Sequence, residues 1–206
     1  FSLTDTAKLL RLRGIAMQDA VPIGEGAMAA LLGADIDKAT ALAEAAAQGQ
    51  VCEVANDNDP GQVVLSGHAE AIQRAIDMAK EHGIKRGVRL PVSAPFHCSL
   101  MQPAALRMKN ALERTPPGDL AVPIFANVTA AKVTDPAEER ELLVQQITGR
   151  VRWRESVLAM RADGVEKFVE IGGKVLSPMV TRTDGDAETV SLVTMEDLES
   201  FAKENG

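Results

Sequence analysis

Apolar residues recur every three or four positions over residues 3–20, a spacing that predicts an amphipathic helix with Ser2 or Thr4 as N-cap and Gly14 as its weak interior position. After Pro22 and Gly24 the pattern shortens. Gly26–Gly33 reads as an apolar strand, Ile36–Ala47 as an alanine-rich helix, and Val51–Ala55 as a second strand. Asn56-Asp57-Asn58-Asp59-Pro60-Gly61 reads as a tight connection, since these are the residues of turns between strands. A third strand is predicted over Gln62–Ser66, a helix over Glu70–Glu81 and a fourth strand over Ile84–Leu90. The resulting β-α-β-β-α-β order is that of a ferredoxin-like split unit. It fills residues 25–92 between segments of different character, the expectation for an inserted small subdomain.

Downstream, helices are predicted near 99–113, 136–148 and 152–161, with strands at Val122–Ala126, Lys167–Ile171 and Thr189–Val193. A further helix is expected to open at Gly172-Gly173-Lys174, and the last begins at Met195. Strands alternating with helices place the chain in the α/β class. Residues 1–24 and 93–206 are expected to form a large subdomain around a largely parallel sheet covered on both faces.

Chemistry concentrates at a few positions on this frame. His97 follows Pro91 and Pro95, which cannot sit inside a helix, and precedes a helical run, so it is expected at a strand-to-helix corner. An imidazole there can take and return a proton at neutral pH, or it can simply cap the turn. His68 and His82 lie among polar helix-flanking residues and read as solvated. Arg13 has Leu9, Leu10, Ala16 and Met17 as its helical neighbours, all apolar, which puts its guanidinium on the inward stripe. A desolvated guanidinium requires an anion, either an internal carboxylate or that of a substrate. Gly172-Gly173-Lys174 resembles a phosphate-binding turn without the spacing of a P-loop, and reads as a tight corner. Cys98 is adjacent to His97 but points elsewhere, so a thiol nucleophile is not expected. Lys80, Lys85, Arg86 and Arg89 form a basic run, either a docking patch or an ordinary solvated face.

Charge and composition remove several function classes. The net charge of −7, with five Phe, one Trp and no Tyr, opposes nucleic-acid binding by phosphate contacts or base stacking. Two cysteines make neither a disulfide framework nor a metal-ligand cluster, so no metal is expected. No apolar run is long enough to span a membrane, and a cytoplasmic location is expected.

Together the motifs resemble the malonyl-CoA:acyl carrier protein transacylases over essentially the whole chain. The resemblance rests on Leu10-Arg11-Leu12-Arg13-Gly14 with Met17-Gln18, on Gly26-Ala27-Met28-Ala29-Ala30, and on Asn56 to Val64. It continues through Leu90-Pro91-Val92-Ser93-Ala94-Pro95-Phe96-His97, Val122-Pro123 with Asn127-Val128, Gln145-Gln146 before Val151-Arg152-Trp153, and Glu170 to Leu176. It implies a hydrolase-like large subdomain carrying the ferredoxin-like one. It also implies that His97 is the base activating a serine, that the Gln146 backbone orients the imidazole, and that Arg13 holds the malonyl carboxylate. Lys85 and Arg86 would lie where the acidic carrier protein docks, and a groove between the subdomains would take the pantetheine arm. The implied substrates are malonyl-CoA and phosphopantetheinylated acyl carrier protein, with no cofactor, no membrane or nucleic-acid partner, and a monomer when complete. In this family the nucleophile sits in a Gly-x-Ser-x-Gly elbow upstream of the arginine helix, with an oxyanion glutamine before it. No serine here has those flanking glycines, and the chain opens at Phe1, so the expectation is a C-terminal two-thirds that lacks the nucleophile. Two alternatives are a polyketide-type acyltransferase and a non-catalytic carrier-docking fragment.

Overall fold

The computed structural model describes residues 1–205. The chain opens with α1 (Leu3–Asp19), whose N-cap Ser2 accepts from the Asp5 amide. Next come β1 (Gly26–Leu32), α2 (Ile36–Ala47), β2 (Cys52–Asp59), β3 (Gln62–His68), α3 (Ala69–Met78) and β4 (Arg86–Arg89). The four strands pair antiparallel in the order β2-β3-β1-β4, the split β-α-β-β-α-β arrangement expected from the sequence. Alternation along β1 explains how this sheet serves two neighbours. Ala27, Ala29 and Leu31 pack with Leu42 of α2 and Ile72 of α3, while Met28 and Ala30 pack with Ala55, Val64, Leu90 and Phe96 on the other face. That second face carries the loop leading to His97.

The remainder consists of α4 (Gln102–Arg114), β5 (Ile124–Ala126), β6 (Ala131–Val133), α5 (Pro136–Thr148), α6 (Trp153–Ala162), β7 (Lys167–Ile171), α7 (Leu176–Thr183), β8 (Glu188–Leu192) and α8 (Met195–Asn205). Helices α1, α4 and α5 share a core of Ala16, Met17, Ala105, Met108, Leu112 and Ile147. A separate cluster of Val157, Val180 and Ala187 joins α6 and α7 to Phe168 of β7.

Three expectations are corrected. The Asn56–Asp59 segment is strand, because β2 continues through it by two register shifts and leaves Pro60-Gly61 as the turn. The shifts turn Asp57 and Asp59 into buried positions, where Arg154 and Arg182 neutralise them. The α/β class is the one expected; among the described strands β7 and β8 pair in parallel, and Asn56 of β2 adds an isolated parallel bridge to Val151. Ala130, at φ 53, closes a hairpin that gives β5 the antiparallel partner β6, a strand not anticipated from the sequence, and Ile171 of β7 is 70% exposed. Finally, α7 begins at Leu176 rather than at the glycine pair, for a reason seen in the Glu170 side chain below.

Candidate active site

β4 ends at Arg89, and the two prolines keep the chain irregular up to His97, so this histidine stands at the end of a loop rather than directly at a strand end. The loop lies close against the small sheet because Gly26 has no side chain. A Cβ there would fall 2.4 Å from the Pro95 ring. His97 itself takes φ 58, a left-handed conformation that histidine tolerates better than most residues. The buried Cys98 thiol closes the turn behind it by donating to the Pro95 carbonyl at 3.1 Å. Burial pushes that thiol's pKa up, which agrees with a structural role and not a nucleophilic one.

The imidazole is anchored across the fold. His97 Nδ1 lies 2.9 Å from the carbonyl oxygen of Gln146, in the last turn of α5. Carbonyls in a final helical turn lack an amide partner within the helix, which leaves this one free to accept. Because a carbonyl can only accept, Nδ1 carries the proton, and the lone pair resides on Nε2. With Nδ1 bonded to Gln146, Nε2 is the ring nitrogen left to accept a proton. Burial is the first influence on the ring and lowers its pKa below the usual value; the Gln146 bond raises it, the nearby charge of Arg13 lowers it, and the Gly149 backbone raises it again. The net result is a neutral imidazole at pH 7 that can accept a proton at Nε2.

Arg13 is half-buried on α1, and desolvation lowers its pKa, yet it makes no ion pair among the described residues. Its stripe is less enclosed than the spacing suggests, since Ala16 and Met17 are buried while Leu10 is 62% exposed. Leu10 instead helps line an open cavity of about 390 Å³ between α1, α4 and α5, whose walls include Arg13, Leu143 and Gln146. A cationic fork thus reaches the same space as the residue that orients the imidazole. Such a site can hold a carboxylate while a neighbouring base moves a proton.

Other sequence candidates fall elsewhere. Lys85 and Arg86 are exposed at the start of β4, an edge strand, where basic residues also serve to discourage edge-to-edge pairing. Gly172-Gly173-Lys174 is not a phosphate cradle. The Glu170 carboxylate already accepts from the amides of Val175, Leu176 and Ser177 at 2.8, 3.0 and 2.8 Å, and it thereby caps α7. Desolvation alone would raise the Glu170 pKa, but these bonds win and hold it down to about 2. Gly172 at φ +92 allows the chain to fold back over that carboxylate. The sequence reading overlooked Glu53, half-buried on β2, whose carboxylate reaches Ser99; its place in an otherwise apolar strand segment was the available signal.

The acyl transferase domain family profile matches residues 1–194. A malonyl CoA-acyl carrier protein transacylase of Bacillus subtilis is 40% identical over 96% of this chain and 63% of its own length. The crystal structure of an acyl-carrier-protein S-malonyltransferase from Bartonella henselae is 49% identical, superposes with a TM-score of 0.94, and is matched over 99% of this chain and 65% of its own. A malonyl-transacylase solved in complex with a type II PKS acyl-carrier protein gives 38% identity and a TM-score of 0.92, over 97% of this chain and 64% of that one. The chain therefore spans about 60% of the length of the curated relatives it matches.

Proposed function

Since the chain belongs to the acyl transferase domain family, we propose that it carries the base and the carboxylate clamp of a malonyl transfer from malonyl-CoA to the phosphopantetheine thiol of an acyl carrier protein, in fatty acid biosynthesis. The observation that carries this reading is the bond from His97 Nδ1 to Gln146, which leaves Nε2 free to accept a proton beside an unpaired Arg13. The nucleophile in this reading is a serine outside the described residues. Within them, Ser99 Oγ is held by Glu53 and Ser177 Oγ by Glu170 and Ser191. We assign residues 25–92 to the small subdomain and 1–24 with 93–206 to the large one, with the pantetheine arm in the groove between them.

In the first half-reaction the serine Oγ attacks the thioester carbonyl while its proton passes to His97 Nε2. The tetrahedral intermediate collapses by breaking the C–S bond, and the same proton leaves with the CoA thiol. In the second half the pantetheine thiol gives its proton to Nε2 and attacks the ester carbonyl; the breaking C–O bond recovers the proton as serine. Gln146 keeps the ring in the required tautomer throughout. Arg13 pairs with the malonyl carboxylate. An acetyl group would leave the guanidinium desolvated and unpaired, which is the physical origin of the expected selectivity.

The test is an Arg13→Ala variant of the full-length enzyme assayed with malonyl-CoA and acetyl-CoA. The preference for malonyl should fall by about a hundredfold or more. A preserved preference would remove Arg13 from the clamp, and transfer that survives His97→Ala would remove the base. Carrier binding without any malonyl adduct on the wild-type protein would favour a docking module instead.

A further inference from the structure

We propose that Glu53 is a positioning residue for His97, acting through Ser99. The proposal rests on the reading of His97 as the base. Glu53 lies on β2, 46 positions from Ser99 in sequence, and uses both carboxylate oxygens on that one residue. The Ser99 amide donates to Oε2 at 2.9 Å, and the Ser99 hydroxyl donates to Oε1 at 2.6 Å. Ser99 opens the 3-10 turn Ser99–Met101, two residues past the base. The first amides of such a turn need an acceptor from outside it, and the N-cap residue Cys98 supplies no side-chain bond. Glu53 fills that role from a different part of the fold. The backbone between the capped amide and the Pro95 carbonyl includes His97 in its left-handed conformation, so the cap fixes where the imidazole leaves the chain.

The same strand also bonds the segment that follows the other partner of the His97 bond. The Asp57 amide donates to the Val151 carbonyl, and the Val151 amide donates to the Ala55 carbonyl, both at 2.8 Å. Val151 follows shortly after Gln146, whose carbonyl orients the ring. β2 therefore holds the segment after the base and the segment after its acceptor in one register. A short, charge-assisted pair of bonds suits this work, because general-base geometry tolerates only about 0.5 Å of drift before the rate falls.

The experiment uses the full-length enzyme with Glu53→Ala, Ser99→Ala, both together, and Glu53→Gln, each with kcat, KM for malonyl-CoA and melting temperature measured. The Nδ1 proton resonance of His97 is followed by NMR in the same proteins. Glu53→Ala is expected to lower kcat about tenfold with KM within about twofold, and to shift or broaden the His97 resonance. Ser99→Ala should cost less, because the amide bond to Glu53 survives; the double variant should be no worse than Glu53→Ala alone, and Glu53→Gln should recover part of kcat. A kcat within twofold of wild type, with an unmoved His97 resonance, would overturn the proposal even if the melting temperature falls. So would independent, multiplying effects of the two alanine changes. If Glu53→Ala does not fold, Glu53→Gln and the exposed Ser99→Ala decide by the same criteria. His97→Ala in parallel separates the two readings. Activity there sinks the base assignment, whereas an inactive His97→Ala beside an unaffected Glu53→Ala sinks only the positioning.

Discussion

If His97 is the base, as proposed, its strength is set by influences that pull in different directions. Burial and the Arg13 charge favour the neutral ring, and the Gln146 and Gly149 backbone favours the charged one. The folded pKa lies below the ordinary histidine value, so the base form persists as pH falls past 6.5, and the acid limb of kcat/KM should lie below that value. Removing the Arg13 charge makes the imidazolium easier to form. In Arg13→Ala the limb should therefore move to higher pH, which a pH profile of kcat/KM for the full-length enzyme will show. A limb that stays in place would mean that the two groups do not communicate. The same shift bears on stability. The unfolded chain binds the His97 proton before the folded one does, so this site's contribution is present above pH 6.5 and is lost as pH falls through the folded pKa.

At the level of elements, β2 ties the small sheet to α6 and α7. Its Asp57 is 1% exposed and receives a bidentate fork from Arg154 of α6, with contacts of 2.8 to 3.1 Å. Asp59, 2% exposed, pairs with Arg182 of α7, whose side chain is 52% exposed. The partner's hydrogen bond is the first cause that raises the Arg154 pKa. Truncating Arg154 would strand a buried carboxylate, and Arg154→Ala is expected to destabilise by about 3–5 kcal/mol in denaturant unfolding. Arg182→Ala should cost less, since water can reach the space it vacates. Equal losses in the two variants would contradict this ranking. The Asn56–Gly61 composition reads as a turn because single-residue statistics favour Asn and Asp there. Their use as strand residues depends on arginines 97 and 123 positions away, which no local pattern contains.

On the scale of the whole molecule, the acidic chain presents Lys85 and Arg86 together on an exposed strand edge. If these residues receive an acidic carrier protein, Lys85→Glu with Arg86→Glu should raise KM for the carrier about tenfold or more at low salt and leave KM for malonyl-CoA unchanged. The wild-type carrier KM should rise with ionic strength as the charges are screened. A carrier KM indifferent to both changes would return the pair to the role of edge protection. The small sheet, the helix of Arg13 and the exposed stance of Lys85 were legible in the sequence, because hydrophobic period and turn residues act over a few positions. The amino-acid pattern by itself determined most of the helices and the strands of the small sheet, though not the end of β2, the hairpin strand β6 or the start of α7, and it marked His97 and Arg13 as unusual. Only the tertiary structure decided that the Gln146 carbonyl faces Nδ1, that Glu53 caps the turn after His97, and that Glu170 rather than an anion fills the start of α7. Each of these is a pairing between residues on different segments or around a folded corner. Such a pairing is fixed by packing and by the demand that buried polar groups find partners, and neither is visible until the chain is folded.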